Sequence, residues 1–291
     1  MEIFVAQLLN GLSLGSIYVL LVLGFNLMLV VAKIIQFAYP HLVVLSMYVC
    51  WGMLKYTNNM FLVVLASIVS CVIVNVAIEP IFRALSKKHG LDINVSFVVS
   101  ISIALLITDV MSHALNYGFP IAFPTDWVGK SVLNFGLITF SVGQAYALIG
   151  GIAAVALFFY LLYRTRQGRV FRALSENSVL ASIIGIPVVK TRILSYAIAG
   201  LLGGVTAVLF ARLLGSASPS LGDFVAMKVV AVSILAGLGN LKGGLVCGLL
   251  LGIAESLAMG YLPGSWSNAI AFMMILIIML IKPEGLFGIQ I

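Results

Sequence analysis

Residues 163–192 read YRTRQGRVFRALSENSVLASIIGIPVVKTR, a basic island in an otherwise almost continuously apolar chain. The island holds Arg164, Arg166, Arg169, Arg172, Lys190 and Arg192 against one acid, Glu176. The flanking stretches, 145–163 and 193–214, are each long enough to cross a bilayer as a helix. A short basic loop between two spans stays on the cytoplasmic side. Its middle also predicts a helix. Ser175, Glu176, Asn177 and Ser178 supply capping side chains and an early acid. Val179, Leu180, Ile183 and Ile184 follow as an apolar stripe at helical spacing, and Gly185 with Pro187 stops it. An apolar-faced helix on a charged loop calls for a groove on a cytosolic partner. The alternative is burial on the membrane surface or on its own bundle.

Outward from the loop, composition says the same. The 291 residues are 62% hydrophobic and 9% charged, with a mean hydropathy of +1.20, so lipid must solvate much of the surface. The net charge of +7 does not describe a nucleic-acid face, because nine of the sixteen Lys and Arg residues lie in residues 83–88 and 164–192. Cys50, Cys71 and Cys247 sit in apolar segments without metal-ligand spacing and read as small buried hydrophobes. No cleavable signal is expected, since residues 1–10 lack a basic start and run into a span.

A helix crossing a hydrocarbon core of about 30 Å needs about 20 residues. Candidate segments fall at 5–32, 34–55, 60–82, 93–115, 144–163, 192–214, 223–239, 243–262 and 266–282. The expected fold is all-α, a polytopic bundle of about eight or nine hydrophobic segments with a short cytoplasmic helix. It forms one integral-membrane domain over 1–291, its cytoplasmic loop at 164–192. Pro40 marks 34–55 as broken or re-entrant, and 223–239 carries Lys228 and ends in Gly237-Leu238-Gly239. Broken backbone at membrane depth is tolerated only against protein or a cavity, so both point to a pathway. Phe37, Tyr39 and His41 are its candidate residues on one side, with Lys228, Gly237 and Gly239 on the other. Interruptions in both halves suggest a duplicated unit, although the halves do not align by sequence. The basic loops put 83–90, Lys242 and Lys282 inside and 116–143, 215–222 and 263–265 outside, and leave the side of residue 1 open.

Gly244, Gly248 and Gly252 recur every four residues, continued by Ser256 and Gly260, and read as a helix-packing face. Gly11 and Gly15, and Gly200 and Gly204, are shorter examples. Gly11-Leu12-Ser13-Leu14-Gly15 also matches a nucleophile-elbow pattern, but it lies in an apolar helix with no base nearby. Charges in spans are costly and draw attention to Lys33, Glu79, Asp109, Lys228 and Glu255. Lys228 is expected to snorkel or pair with Asp223, and Glu255 to hydrogen-bond a neighbouring helix rather than a substrate.

Gly168-Arg-Val-Phe-Arg-Ala173, Glu176 and Ala181-Ser-Ile-Ile-Gly-Ile186 together resemble the coupling-loop signature of the LivH-type permeases of branched-chain amino acid ABC importers. The likeness continues through Asn10-Gly-Leu-Ser-Leu-Gly-Ser-Ile-Tyr18, Met227-Lys228, Gly237-Leu-Gly239, Leu251-Gly-Ile-Ala-Glu255 and Lys282-Pro-Glu-Gly-Leu-Phe-Gly288. The resemblance implies a multi-pass permease of the bacterial inner membrane, paired with a LivM-type second permease. Two cytosolic ATPases of LivF/LivG type and a periplasmic substrate-binding protein would complete the importer. The helix around 176–186 would then be the coupling helix, with Arg172, Glu176, Leu180 and Ile184 contacting an ATPase. This chain would bind no metal or other cofactor and have no catalytic residue, ATP and Mg being used by the partner ATPases; it lacks a G-x-x-x-x-G-K-[ST] loop. Gln36-Phe-Ala-Tyr-Pro-His41 stands where the family usually reads close to Asn-Phe-Ala-His-Gly. That departure leaves urea, short amides or another amino acid class as alternative substrates. A self-contained channel or carrier and an intramembrane enzyme are the remaining alternatives, and no convergence of ionisable residues supports the enzyme.

Overall fold

The computed structural model describes residues 2–57, 59–89, 93–114, 118–128, 132–135, 138–261, 266–282 and 285–288. Four helices come first: α1 (Glu2–Ala32), α2 (Tyr39–Tyr56), α3 (Met60–His89) and α4 (Ile93–Ala114). A linking region follows, with β1 (Ile121–Ala122), α5 (Thr125–Val128), β2 (Val132–Phe135), β3 (Ile138–Ser141), α6 (Val142–Arg164), α7 (Arg166–Glu176) and α8 (Ser178–Ile183). The rest is α9 (Val188–Leu214), β4 (Ser216–Ala217), α10 (Leu221–Ala236), α11 (Leu241–Tyr261) and α12 (Trp266–Ile281). The fold is an all-α polytopic bundle. Strand among the described residues is confined to the antiparallel pairs β2–β3 (Val132 opposite Ser141) and β1–β4 (Ile121 opposite Ala217).

Among the described residues six helices, α1, α3, α4, α6, α9 and α11, are long and apolar enough to cross a membrane. The expected segments at 34–55, 223–239 and 266–282 become the shorter α2, α10 and α12, of 18, 16 and 16 residues. Sixteen helical residues rise about 24 Å, less than the roughly 30 Å hydrocarbon core. Residues 263–265, Gly90, Pro283 and Glu284, and parts of the 116–143 stretch, lie outside the described residues.

Contacts at its two ends orient α1. Asn10 accepts a hydrogen bond from Gln144 at the start of α6, while Lys33 donates to the Ser175 carbonyl in the basic loop. The start of α1 therefore lies on the side opposite that loop. The chain then returns through residues 33–38 and α2, whose Trp51 donates to the Ala122 carbonyl on the outer side.

Two antiparallel glycine seams hold the bundle. On one, α1 meets α11: Gly11 faces Ile253, Gly15 faces Leu249, and Gly248 faces Val19. A Cβ at Gly11 would lie 2.7 Å from the Ile253 Cα, and one at Gly252 would fall on the Gly15 backbone. Lipid tails are as apolar as leucine, so helices here associate through close packing, which glycine permits. On the second seam α9 meets α3, with Gly200 on Val72 and Gly204 on Ile68.

The two seams correspond position by position. Gly11 maps to Gly200 and Gly15 to Gly204, while Ile253 maps to Val72 and Leu249 to Ile68. In the same register, Ser256 Oγ donates to the Gln7 carbonyl and Asn75 Nδ2 donates to the Tyr196 carbonyl, each at 2.7 Å. Each half is a long helix, a non-helical stretch (33–38 or 215–220), a short helix, a spanning helix and a last helix. The break that answers 33–38 is thus 215–220, ahead of α10, and not the glycines at 237–244. The halves run in opposite directions, an inverted repeat.

Gly252→Val should destabilise the chain by about 1–3 kcal/mol, the usual cost of overpacking a tight contact. Gly52, which has nothing within 4 Å of an added Cβ, serves as the control position. Thermal unfolding of the two valine variants in detergent should separate them; equal melting would show that the seam is not tight.

Candidate functional site

The basic loop is a jointed strut. α6 ends at Arg164, and Thr165, with extended backbone, accepts from the Gly168 amide to start α7. Phe171 and Leu174 bury the inner face of α7. Arg172 does not point outward: its Nη1 donates to the Leu162 carbonyl at 3.1 Å, and its guanidinium lies 5.1 Å from the centre of the Tyr163 ring. Lys33 holds the far end through the Ser175 carbonyl at 3.1 Å. Asn177 then breaks the chain and caps α8, accepting from Val179 and Leu180 amides at 2.9 and 3.1 Å.

The single helix expected over 176–186 is therefore divided. Glu176 closes α7 instead of opening the next helix, because burial of Phe171 and Leu174 carries α7 through to it. α8 is six residues long, and Gly185 at φ 87° ends the turn that follows. On α8 only Ala181 is buried. Val179, Leu180, Ile183 and Ile184 form an exposed apolar face, Ile183 and Ile184 at 74% and 73%.

A second constellation lies where α2 and α10 begin. Lys33, at φ 58°, ends α1, and side chains of α3 and α4 hold the non-helical stretch that follows. The Ala38 amide donates to Ser100 Oγ, and Gln36 Nε2 donates to Asn75 Oδ1. Pro40 falls in the first turn of α2, where its missing N–H costs no helical hydrogen bond. Tyr39 is fully buried against Gly24 and Gly203 and donates to the Ala199 carbonyl. Phe37 packs edge-on against Phe97 of α4, ring centres 5.1 Å apart. His41 is buried, and its Nε2 lies 3.0 Å from Asp223 Oδ1 in the first turn of α10. Phe37, Tyr39 and His41 thus fasten this segment to α4, α9 and α10 respectively. Asp223 itself is 56% exposed, and its partner is His41 and not Lys228, for which the sequence left snorkelling or a bond to Asp223 open.

Lys228 is turned the other way. Its ammonium hydrogen-bonds Glu255 of α11 and lies 3.1 Å from the Tyr18 hydroxyl, which donates to the other Glu255 oxygen at 2.7 Å. Glu255 is 1% and Lys228 12% exposed, so the pair ties α10 to α11 and α1 and lines no open path in this chain. Snorkelling, or a bond to Asp223, would leave the Glu255 carboxylate buried beside Tyr18 without its cation. Near the inner ends of α3 and α9, buried Glu79 lies 3.7 Å from the Nε atoms of both Arg83 and Arg192.

Gly237 and Gly239, at φ 82° and 84°, make the turn between α10 and α11 at the inner end of the bundle. Gly244, Gly248 and Gly252 face Val22, Val19 and Gly15 of α1. Among the described residues no three His, Cys, Asp or Glu side chains converge as metal ligands.

Residues 7–279 match the family model described as branched-chain amino acid transport system / permease component. The chain is 26% identical to the high-affinity branched-chain amino acid transport system permease protein LivH of Escherichia coli K12, over 98% of this chain and 96% of that protein. The corresponding BraD protein of Pseudomonas aeruginosa is also 26% identical, with the same coverage of both chains. A probable LivH of Methanocaldococcus jannaschii is 28% identical over 95% of this chain and 90% of its own.

Removing one member of a buried ion pair strands the other, at about 3–5 kcal/mol. Lys228→Met should therefore lower thermal stability markedly, and adding Glu255→Gln should restore much of it. A double variant no more stable than the single one would contradict the pairing.

Proposed function

The chain belongs to the branched-chain amino acid transport system permease component family, and we propose that it conducts amino acids with apolar side chains across the inner membrane. It is a permease component of an ABC importer, the class that works with ATPase subunits and a substrate-binding protein. In the proposed assembly a LivM-type permease is its partner, two LivF/LivG-type ATPases bind from the cytosol, and a periplasmic binding protein delivers the substrate. ATP and Mg are bound by the ATPases, and this chain catalyses no reaction of its own.

The observation that carries this reading is the exposed apolar face of α8 at the end of a braced strut. Leu180 and Ile184 enter an ATPase groove, while Arg172 stiffens α7 behind them. Movement of the groove as the ATPases close is passed through α7 to α6 and α1. The pathway runs past Asp223, because a half-exposed carboxylate at the start of a short intramembrane helix is too costly to face lipid. The Asp223 carboxylate, held by His41, is suited to the ammonium group of a passing amino acid.

Co-purification from mild detergent tests the assembly. Two ATPase subunits and a second permease should accompany the tagged chain and be lost on Leu180→Asp with Ile184→Asp. A chain that purifies alone and moves solute in liposomes without ATP would overturn the importer reading. Asp223→Asn should slow amino acid uptake about tenfold, equivalent to ~1.4 kcal/mol, while the ATPases still co-purify. Unchanged uptake would remove Asp223 from the pathway.

A further inference from the structure

α6 and α11 each pack along α1 yet scarcely meet each other, which leaves a groove between them. One part is a cavity of about 290 Å³ with an almost wholly apolar lining that includes Val19, Ile152, Ala156, Phe159, Leu245 and Leu249. A second cavity, of about 210 Å³, lies one to two turns further along α6 and α11 at the level of the basic loop. There the lining changes character. Arg172 and Lys242 both stand over Tyr163, their cationic centres 5.1 and 5.5 Å from the ring centre. Among the described residues no Asp or Glu lines this end.

The geometry points to a binding site for one anionic phospholipid of the inner leaflet, an acyl chain along the α6–α11 groove and the headgroup phosphate between Arg172 and Lys242. The dimensions agree: from Ile152 to Tyr163 the groove follows α6 for about 16 Å, the scale of an acyl chain. Charge order decides the occupant. An apolar helix from another protein would fill the apolar cavity but leave two cations facing it at the second. A zwitterionic lipid would bring its own ammonium to them. A net anion at the membrane surface matches the two cations, and basic pockets between spanning helices on the cytoplasmic side are chemically suited to such headgroups.

The site has a consequence for coupling. Arg172 belongs to α7, whereas Lys242 opens α11. A headgroup held by both bridges the cytoplasmic strut to the bundle, so transport should require anionic lipid in the inner leaflet.

The test is native mass spectrometry of the complete detergent-purified transporter, supplied with phosphatidylglycerol and phosphatidylcholine in equal amounts. One phosphatidylglycerol should stay bound per copy of this chain. Lys242→Glu and Ala156→Trp, which alter the headgroup end and fill the apolar lane, should each reduce retention about tenfold. Arg172 is left intact because it also holds the Leu162 carbonyl. Should either variant melt early, the wild-type preference decides alone: equal retention of the two lipids overturns the proposal. Displacement of the bound lipid by inorganic phosphate overturns it too, because the site would then need no acyl chain. So does a cross-link from Ala156→Cys to another subunit in native membranes, which would show the groove covered by protein.

Discussion

Everything in this bundle hangs on how closely α1 can approach α11. Gly11 and Gly15 on one helix, Gly248 and Gly252 on the other, bring backbone against backbone. In water such an interface would be weak, since it buries little side-chain area. In lipid the comparison is different, because a leucine gains nothing by leaving acyl chains for another helix. What remains is dispersion at short range, and that requires the absence of side chains at the contact. α1 is consequently the most enclosed span, and α6, α9 and α11 are arranged around it.

The polar interior follows from the same solvent. Backbone that leaves helical form at membrane depth must find other partners, and Ser100 supplies one for the Ala38 amide, while the Gln36 side chain is held by Asn75, which also donates to the Tyr196 carbonyl of α9. The charges sort into two kinds. Glu255 and Glu79 are buried carboxylates, paired with Lys228 and with two arginines, and these pairs fix the positions of helices. Asp223 stays open beside a buried histidine. Chain position does not separate these roles; the direction in which each helix face is turned does.

The sequence carried much of this openly and some of it hardly at all. The four-residue spacing of Gly244, Gly248 and Gly252 states a helix face without further information, and the clustering of basic residues states which loops lie inside. Pro40 correctly marked disturbed backbone, but the break itself is at Lys33, and the proline merely opens the next helix. In Ser175-Glu176-Asn177-Ser178 four residues compete to cap a helix. Asn177 prevails because α7 is held by the burial of Phe171 and Leu174, a tertiary fact. The partner of Lys228 was equally hidden: Asp223 is near in the chain, whereas Glu255 is near only once α10 and α11 have folded together. The matching of 33–38 with 215–220 escaped because the seams share geometry while differing in residue type, as Ser256 and Asn75 do.

The count of crossings explains why one half is upside down relative to the other. α1 to α4 make an even number of passages and return the chain to the side on which it began. Repeated directly, the second half would start there and point the same way as the first. The single passage of α6 changes the parity, so α9 begins on the opposite face. α6 also leads directly into the strut of α7 and α8, which therefore lies on the face where α9 begins. Without α6, or with two such spans in its place, α9 would start on the same face as α1 and the two halves would point the same way.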